Sequence, residues 1–355
     1  MASKPSRAGF IFSKRRSLRA PFLLCWVLAL IGGVACAADH LKRFDLTRPA
    51  MGTQFRLTFY AKDAETAAQA AEAAFQRVAE LEQVGSDYRP DSELTLLNQS
   101  TEHKASPDLF RVLQRSLELA RLSEGAFDVT AGHYSQLWRR AKRKGELPSA
   151  QQLGRVRPLV GWQLISMDAS SRVVRLAKPG MQLDLGGIAK GFAADAALKV
   201  LAGYGITAAT IAASGDLAIG DPPPGEPEGW EVRLRTFESE QKGEGEFPVT
   251  LKLARCGVST SGDLHQFVEI AGTRYSHIVD PQTGLGLTRR VAATVIAPDA
   301  TTSDALATAV CILDAGRAAK LISAVPDCKA RVVSLKDGGE IETQLMSWPD
   351  TSDQK

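Results

Sequence analysis

Between Gln54 and Phe59 the chain alternates Phe55, Leu57 and Phe59 with Gln54, Arg56 and Thr58, the period of two expected of a half-buried strand. Asp63 then stands ready to cap an Ala-rich helix reaching about Val84, with Ala71, Ala74, Phe75, Val78 and Leu81 at helical spacing. Ser106 followed by Pro107 predicts a second helix start, with Gly125 as its stop. Residues 171–185 read as a β-hairpin turning at Pro179-Gly180, and Gly186-Gly187 leads into a helix ending near Gly203. A strand around Thr210 precedes a Gly/Pro-rich surface loop over 220–229, and β-rich sequence fills much of 230–297. A last helix is expected from about Asp304 to Leu313, capped by Ser303, and the tail 349–355 is expected to fray. Strands and helices do not alternate regularly, so the pattern predicts an α+β fold rather than a doubly wound sheet. No linker divides 39–348, which reads as one large domain.

Charge changes the picture only at the N-terminus. The 43 basic and 40 acidic residues of the 355-residue chain give +3, yet Lys4, Arg7, Lys14, Arg15, Arg16 and Arg19 precede the first acid. Residues 39–355 are left near −3, so no basic surface remains to attract nucleic acid by bulk charge. Residues 20–38 are uncharged, break at Gly32-Gly33 and end on Ala35-Cys36-Ala37, small residues at the spacing of a cleavage site. We read 1–38 as a signal peptide, with an uncleaved membrane anchor as the alternative, and expect export to the periplasm by a Sec or Tat route. Cys256, Cys311 and Cys328 are odd in number and widely spaced, which fits neither a disulfide framework nor a metal site.

Three segments carry candidate chemistry. In LDLGGIAKGFAAD (183–195), glycines at a helix start suit backbone approach to a phosphate, with Lys190 adding a cation; close helix packing explains them equally well. In TTSDALATAVCIL (301–313), Asp304 and Thr308 stand one turn apart on one helix face and could share a hard cation, or could serve only the helix dipole and backbone. In SHIVDPQTG (276–284), His277 ends a β-like run, either as a general base or as a structural histidine.

The order of these segments, together with MGT (51–53), SDYRPDSEL (86–94), SEGAFDVT (123–130) and STSGDL (259–264), resembles the ApbE family of FAD:protein FMN transferases over roughly residues 45–345. The resemblance implies a single T-fold-related α+β domain with mixed sheets flanked by helices. It also implies Mg²⁺-dependent transfer of FMN from FAD onto a Thr or Ser hydroxyl of an acceptor flavoprotein, with release of AMP. The family's acceptors include subunits of electron-transport complexes. By position, Gly187, Asp304 and Thr308 match the metal site, and His277 matches the histidine of the transfer step. Met51, Tyr88, Ala126, Phe127, Asp128, Asp184, Lys190 and Ile278 match FAD contacts. One departure is Ser214 in ASGD (213–216), where relatives commonly carry glycine. A Mg²⁺-dependent FAD pyrophosphatase and a non-catalytic exported flavin-binding protein are the competing readings.

Overall fold

A computed structural model describes residues 41–237, 247, 249–264, 266–336 and 338–349. Residues 1–38, for which a signal peptide is expected, and nearly all of the tail 349–355 lie outside the described residues. Among those residues no helix is long and apolar enough to cross a membrane.

The framework is one eight-stranded sheet made of β1 (Lys42–Ala50), β2 (Thr53–Ala61), β3 (Ala209–Ala213), β4 (Asp216–Ile219), β5 (Cys256–Gly262), β6 (Arg290–Ala297), β7 (Lys329–Leu335) and β8 (Ile341–Met346). Within this sheet the strands lie side by side in chain order, with shorter strands of other sheets intervening in the sequence, and every pair is antiparallel. Phe55, Leu57 and Phe59 of β2 are fully buried, as their alternation requires, each contributing roughly 1.5–3 kcal/mol.

The helices are α1 (Ala64–Gly85), α2 (Glu93–Asn98), α3 (Pro107–Leu122), α4 (Gly132–Lys144), α5 (Ala150–Val156), α6 (Ala189–Gly203), α7 (Ala300–Ile312) and α8 (Ala315–Ser323). Asp63 caps α1 and Ser106 caps α3, each accepting from the amide three residues on. The Ala-rich face of α1 and the inner face of α6 close over β2 and β3, while α7 joins a second core with β6, α3 and the segments around Phe127 and Leu183. On the opposite face, a ribbon of Trp230–Leu234 and Val249–Leu253 covers Ile219, Val258 and Ile296. The expected α+β architecture with helices flanking sheets is therefore present.

Two local expectations are corrected. The hairpin assigned to 171–185 lies earlier: Ile165–Asp168 pairs with Val173–Leu176, which in turn pairs with Glu102–Lys104. Beyond it, 181–185 forms no strand because its backbone bonds to other partners. Leu183 donates to and accepts from the Asn98 side chain at 2.8 and 3.0 Å, and Asp184 donates to the Val129 carbonyl at 2.8 Å. The helix expected at Asp304 begins four residues earlier, at Ala300. Asp299 is its cap, so Ser303 is not, and α8 follows as the true last helix, capped by Asp314. The start of α7 was hidden because the helix is buried nearly all round and lacks a polar face to mark its phase.

Candidate functional site

The site is built where α6 crosses α7. At Gly191 the helices meet backbone to backbone: a Cβ there would stand 2.1 Å from the Ala300 carbonyl oxygen, so no other residue fits without displacement. The Gly191 amide, which in a regular helix would bond to the Gly187 carbonyl, donates to Asp304 Oδ2 at 3.1 Å. Lys190, one residue earlier, reaches Asp216 on β4 at 2.9 Å and Asp304 at 3.5 Å. Two carboxylates and one ammonium thus share a nearly dry pocket; Asp304 is 2% exposed and Asp216 3%. Burial, reinforced by the Asp216 charge, raises the Asp304 carboxyl to about 7 against the pull of Lys190. Burial opposes the charge on Lys190, but the two carboxylates together outweigh it and hold its pKa above the ordinary value.

Thr308 follows Asp304 by one turn and lies 3.3 Å from the Ser261 hydroxyl of β5. A Cβ on Gly187 would sit 3.4 Å from Thr308 Oγ1 and 3.3 Å from the Phe127 ring, so Gly187, Thr308 and Phe127 adjoin one another. The polar residues opening α7 each engage a different element. Thr301 bonds to Asp195 of α6, Thr302 accepts from Arg115 of α3, and Ser303 bonds to Ser259 of β5. In this run the sequence pattern singles out Asp304 and Thr308 as candidate ligands and Ser303 only as a cap.

Whether these residues suit a divalent cation can be judged from their donors. Asp304 supplies a carboxylate whose ionisation is disfavoured until more positive charge arrives. Thr308 adds a hydroxyl, and the Gly187 carbonyl is not taken by the Gly191 amide. That is a sparse, hard-oxygen set of the kind Mg²⁺ uses with phosphate and water. No group of three or more His, Cys, Asp or Glu able to hold a metal occurs among the described residues. The set fits Mg²⁺ and would not make a thiolate or imidazole site.

A second cluster gathers Tyr88 and Asp184 around a residue that no sequence motif marks, Arg139 of α4. Its guanidinium bonds Asp87 at 2.6 Å and Asp184 at 3.4 Å and lies 4.2 Å from the centre of the Tyr88 ring. Burial and the neighbouring Asp184 raise the Asp87 carboxyl. Tyr88 is 76% exposed, so the guanidinium steadies an aromatic surface open to solvent. Asp128 is turned inward: Thr130 donates to Oδ1 through its amide and hydroxyl, and the Trp162 amide donates to Oδ2 at 2.9 Å. Ala126, Phe127 and Ile278 are buried in one core cluster. Met51, at φ +49 beside Gly52 in the β1–β2 turn, borders Leu185, Ala189 and Phe192.

His277 follows the strand Thr273–Ser276, which pairs with Phe267–Ile270 in a two-stranded ribbon. Its amide and its Nδ1 both approach the Gln266 carbonyl, at 3.0 and 3.1 Å. A carbonyl only accepts, so Nδ1 carries the hydrogen and Nε2 keeps its lone pair. The residue is exposed to solvent, yet desolvation by the protein around it, with the charges of Lys190 and Lys142, lowers its pKa. Arg274 in the same ribbon holds Asp263, just past the end of β5, donating from Nε to its carboxylate at 2.8 Å and from a terminal nitrogen to its backbone carbonyl at 2.7 Å. A separate cavity of about 590 Å³, bordered by Arg289, Val310, Leu335 and Gln344, contains none of these groups.

The ASGD turn joins β3 to β4 with φ +59 at Ser214, while Gly215 does not have positive φ, the pattern of a turn that favours glycine first. Gly215 is needed for another reason, since a Cβ there would lie 2.8 Å from the Thr260 carbonyl. Ser214→Gly should therefore stabilise the protein by about 1 kcal/mol, a rise of roughly 2 °C in Tm measured calorimetrically.

Several known proteins are similar to this chain over most of its length. A family model described as "ApbE family" matches residues 51–332. The FAD:protein FMN transferase of Treponema pallidum is 31% identical over 330 residues, covering 88% of this chain and 90% of that protein. The FAD:protein FMN transferase of Haemophilus influenzae is 29% identical over 304 residues, covering 82% and 86%. Among solved structures, the flavin transferase ApbE of Vibrio cholerae superposes with a TM-score of 0.76 at 25% identity, covering 86% of this chain and 98% of that one.

Proposed function

The chain belongs to the ApbE family, and from that premise we propose that it is an Mg²⁺-dependent FAD:protein FMN transferase that modifies a Thr or Ser of an acceptor flavoprotein. The observation that carries this reading is the convergence of Asp304, Thr308, Gly187 and Lys190 at the α6–α7 crossing. In the reaction, the acceptor oxygen bonds to the FMN phosphorus, the pyrophosphate bridge breaks, and AMP leaves with the bridging oxygen. Bound at Asp304, Thr308 and the Gly187 carbonyl, Mg²⁺ would supply positive charge to offset the negative charge that develops as AMP departs.

The chain's own residues do the rest. Lys190, held by Asp216, keeps a cation beside the phosphates, and Tyr88, steadied by Arg139, offers a face for a planar ring. Neutral His277 takes the acceptor's hydroxyl proton on Nε2. Its exposure to solvent suits a hydroxyl presented by another protein rather than one buried in a small-molecule pocket. Acceptors of the electron-transport type present their flavin sites outside the cytoplasmic membrane. Export through 1–38, with cleavage or retention as an anchor, would bring the enzyme to them.

Mass spectrometry after incubation with FAD, Mg²⁺ and a candidate acceptor tests the reading. The expected product is an acceptor Thr or Ser peptide heavier by FMN, with one AMP released per adduct. Free FMN and AMP with the acceptor unmodified would instead identify a pyrophosphatase, and intact FAD would identify a binding protein.

A further inference from the structure

We propose that Asp195 is a positioning residue for the transfer reaction, clamping the first turn of α7 onto α6 and so fixing Asp304 and Thr308 opposite Gly187. The inference rests on the reading that Asp304 and Thr308 hold the divalent cation. Asp195 lies one turn after Gly191 and on the same helix face. Its Oδ1 accepts from the Ala300 amide at 2.9 Å; its Oδ2 accepts from the Thr301 amide at 2.8 Å and hydroxyl at 2.5 Å. The cap of α7 is a different carboxylate, Asp299, which accepts from the Thr302 amide at 2.7 Å. The free amides at the head of α7 are thus divided between two acids, and only Asp195 ties them to another helix.

This bond set is the one that ties the backbone amides of α7 to α6. On the α6 side, the Gly191 backbone touches Ala300. On the β5 side, a Cβ on Gly257 would come within 2.2 Å of the Asp299 carbonyl carbon. The head of α7 is therefore seated closely between two bare stretches of backbone, and the side-chain bonds of Thr302 to Arg115 and of Ser303 to Ser259 join it to α3 and β5. Sliding must break the bonds to Asp195. Asp304 lies one turn further on, so a shift there would misplace a ligand and weaken cation binding by about 10- to 100-fold, the usual cost of losing a supporting partner. None of the hydrogen bonds made by Asp195 goes to Asp304 or Thr308, so its effect is exerted through the helix.

The test uses the full chain and reads cation binding directly, by electron paramagnetic resonance of free Mn²⁺ without FAD, alongside the Mg²⁺ concentration giving half-maximal transfer. Asp195→Ala should weaken Mn²⁺ binding and raise the Mg²⁺ midpoint by about 10- to 100-fold, while the rate at saturating Mg²⁺ falls much less. Asp195→Asn keeps the size and one acceptor, so it should weaken both roughly threefold or more and supplies the test if the alanine variant does not fold. Folded variants whose Mn²⁺ affinity stays within about twofold of the parent would overturn the inference. Asp304→Ala, measured in parallel, separates the two levels. Loss of Mn²⁺ binding in that variant, with binding intact in the Asp195 variants, would sink the clamp alone. Binding intact in all three would sink the metal reading and the clamp together.

Discussion

Asp304→Ala should abolish the Mg²⁺ response of FMN transfer and lower the rate on the order of 10²–10³-fold, the usual cost of losing one major electrostatic contributor in a buried site. The fold should survive. Lys190 would keep its 2.9 Å bond to Asp216, so no buried charge is stranded, and the Gly191 amide would lose one partner at a helix start. Asp304→Asn is the sharper comparison, because it preserves shape and the acceptor for Gly191 while removing the charge. A Mg²⁺ titration of transfer rate, with thermal unfolding as control, reads both variants. An unchanged Mg²⁺ midpoint in folded protein would remove Asp304 from the cation site.

His277→Ala should lower the transfer rate about 10²–10⁴-fold while leaving FAD affinity close to that of the parent, the signature of a lost general base. The pH profile sharpens the expectation. Desolvation lowers the pKa of His277 below its ordinary 6.5, so the neutral, basic form persists to more acid pH than for a free histidine. At saturating Mg²⁺, the acid limb of kcat should therefore fall at a midpoint below 6.5, and that limb should vanish in the variant. The stability sign agrees: the unfolded chain binds the proton more readily, so this group's contribution is complete above its unfolded pKa and is lost as pH falls through the lower folded value. Stopped-flow transfer rates over roughly pH 5–8 would decide it, and an unchanged limb in His277→Ala would assign the titration to another group.

The parts legible in the sequence are those whose burial is one-sided. The strand at Phe55–Phe59 and the helix after Asp63 expose one face each, so period and cap announce them. Helix α7 is wrapped by apolar contacts nearly all round, and its boundary carries no comparable mark. The misplaced hairpin has a similar cause: 181–185 satisfies its amides through Asn98 and Val129, groups far away along the chain. The motif residues Asp304, Thr308, Gly187 and Lys190 are legible because they lie on two short segments. Arg139 is not, since its role depends on Asp87 and Asp184, which only folding brings to it. In the 183–195 segment the packing role is visible at Gly191, whose bare backbone serves helix contact and whose amide serves Asp304.

Every residue assigned by resemblance lies in a connection between sheet strands and none in a strand itself. The excursion bearing His277 leaves at the end of β5 and returns at the start of β6, which are hydrogen-bonded neighbours. Its two ends are therefore pinned about 5 Å apart whatever lies between them. A lineage could alter the parts of that excursion other than His277 and Ile278 to suit a new client protein without shifting the register of the eight-stranded sheet. Adaptation to a client and retention of His277 and Ile278 are thus compatible on this scaffold.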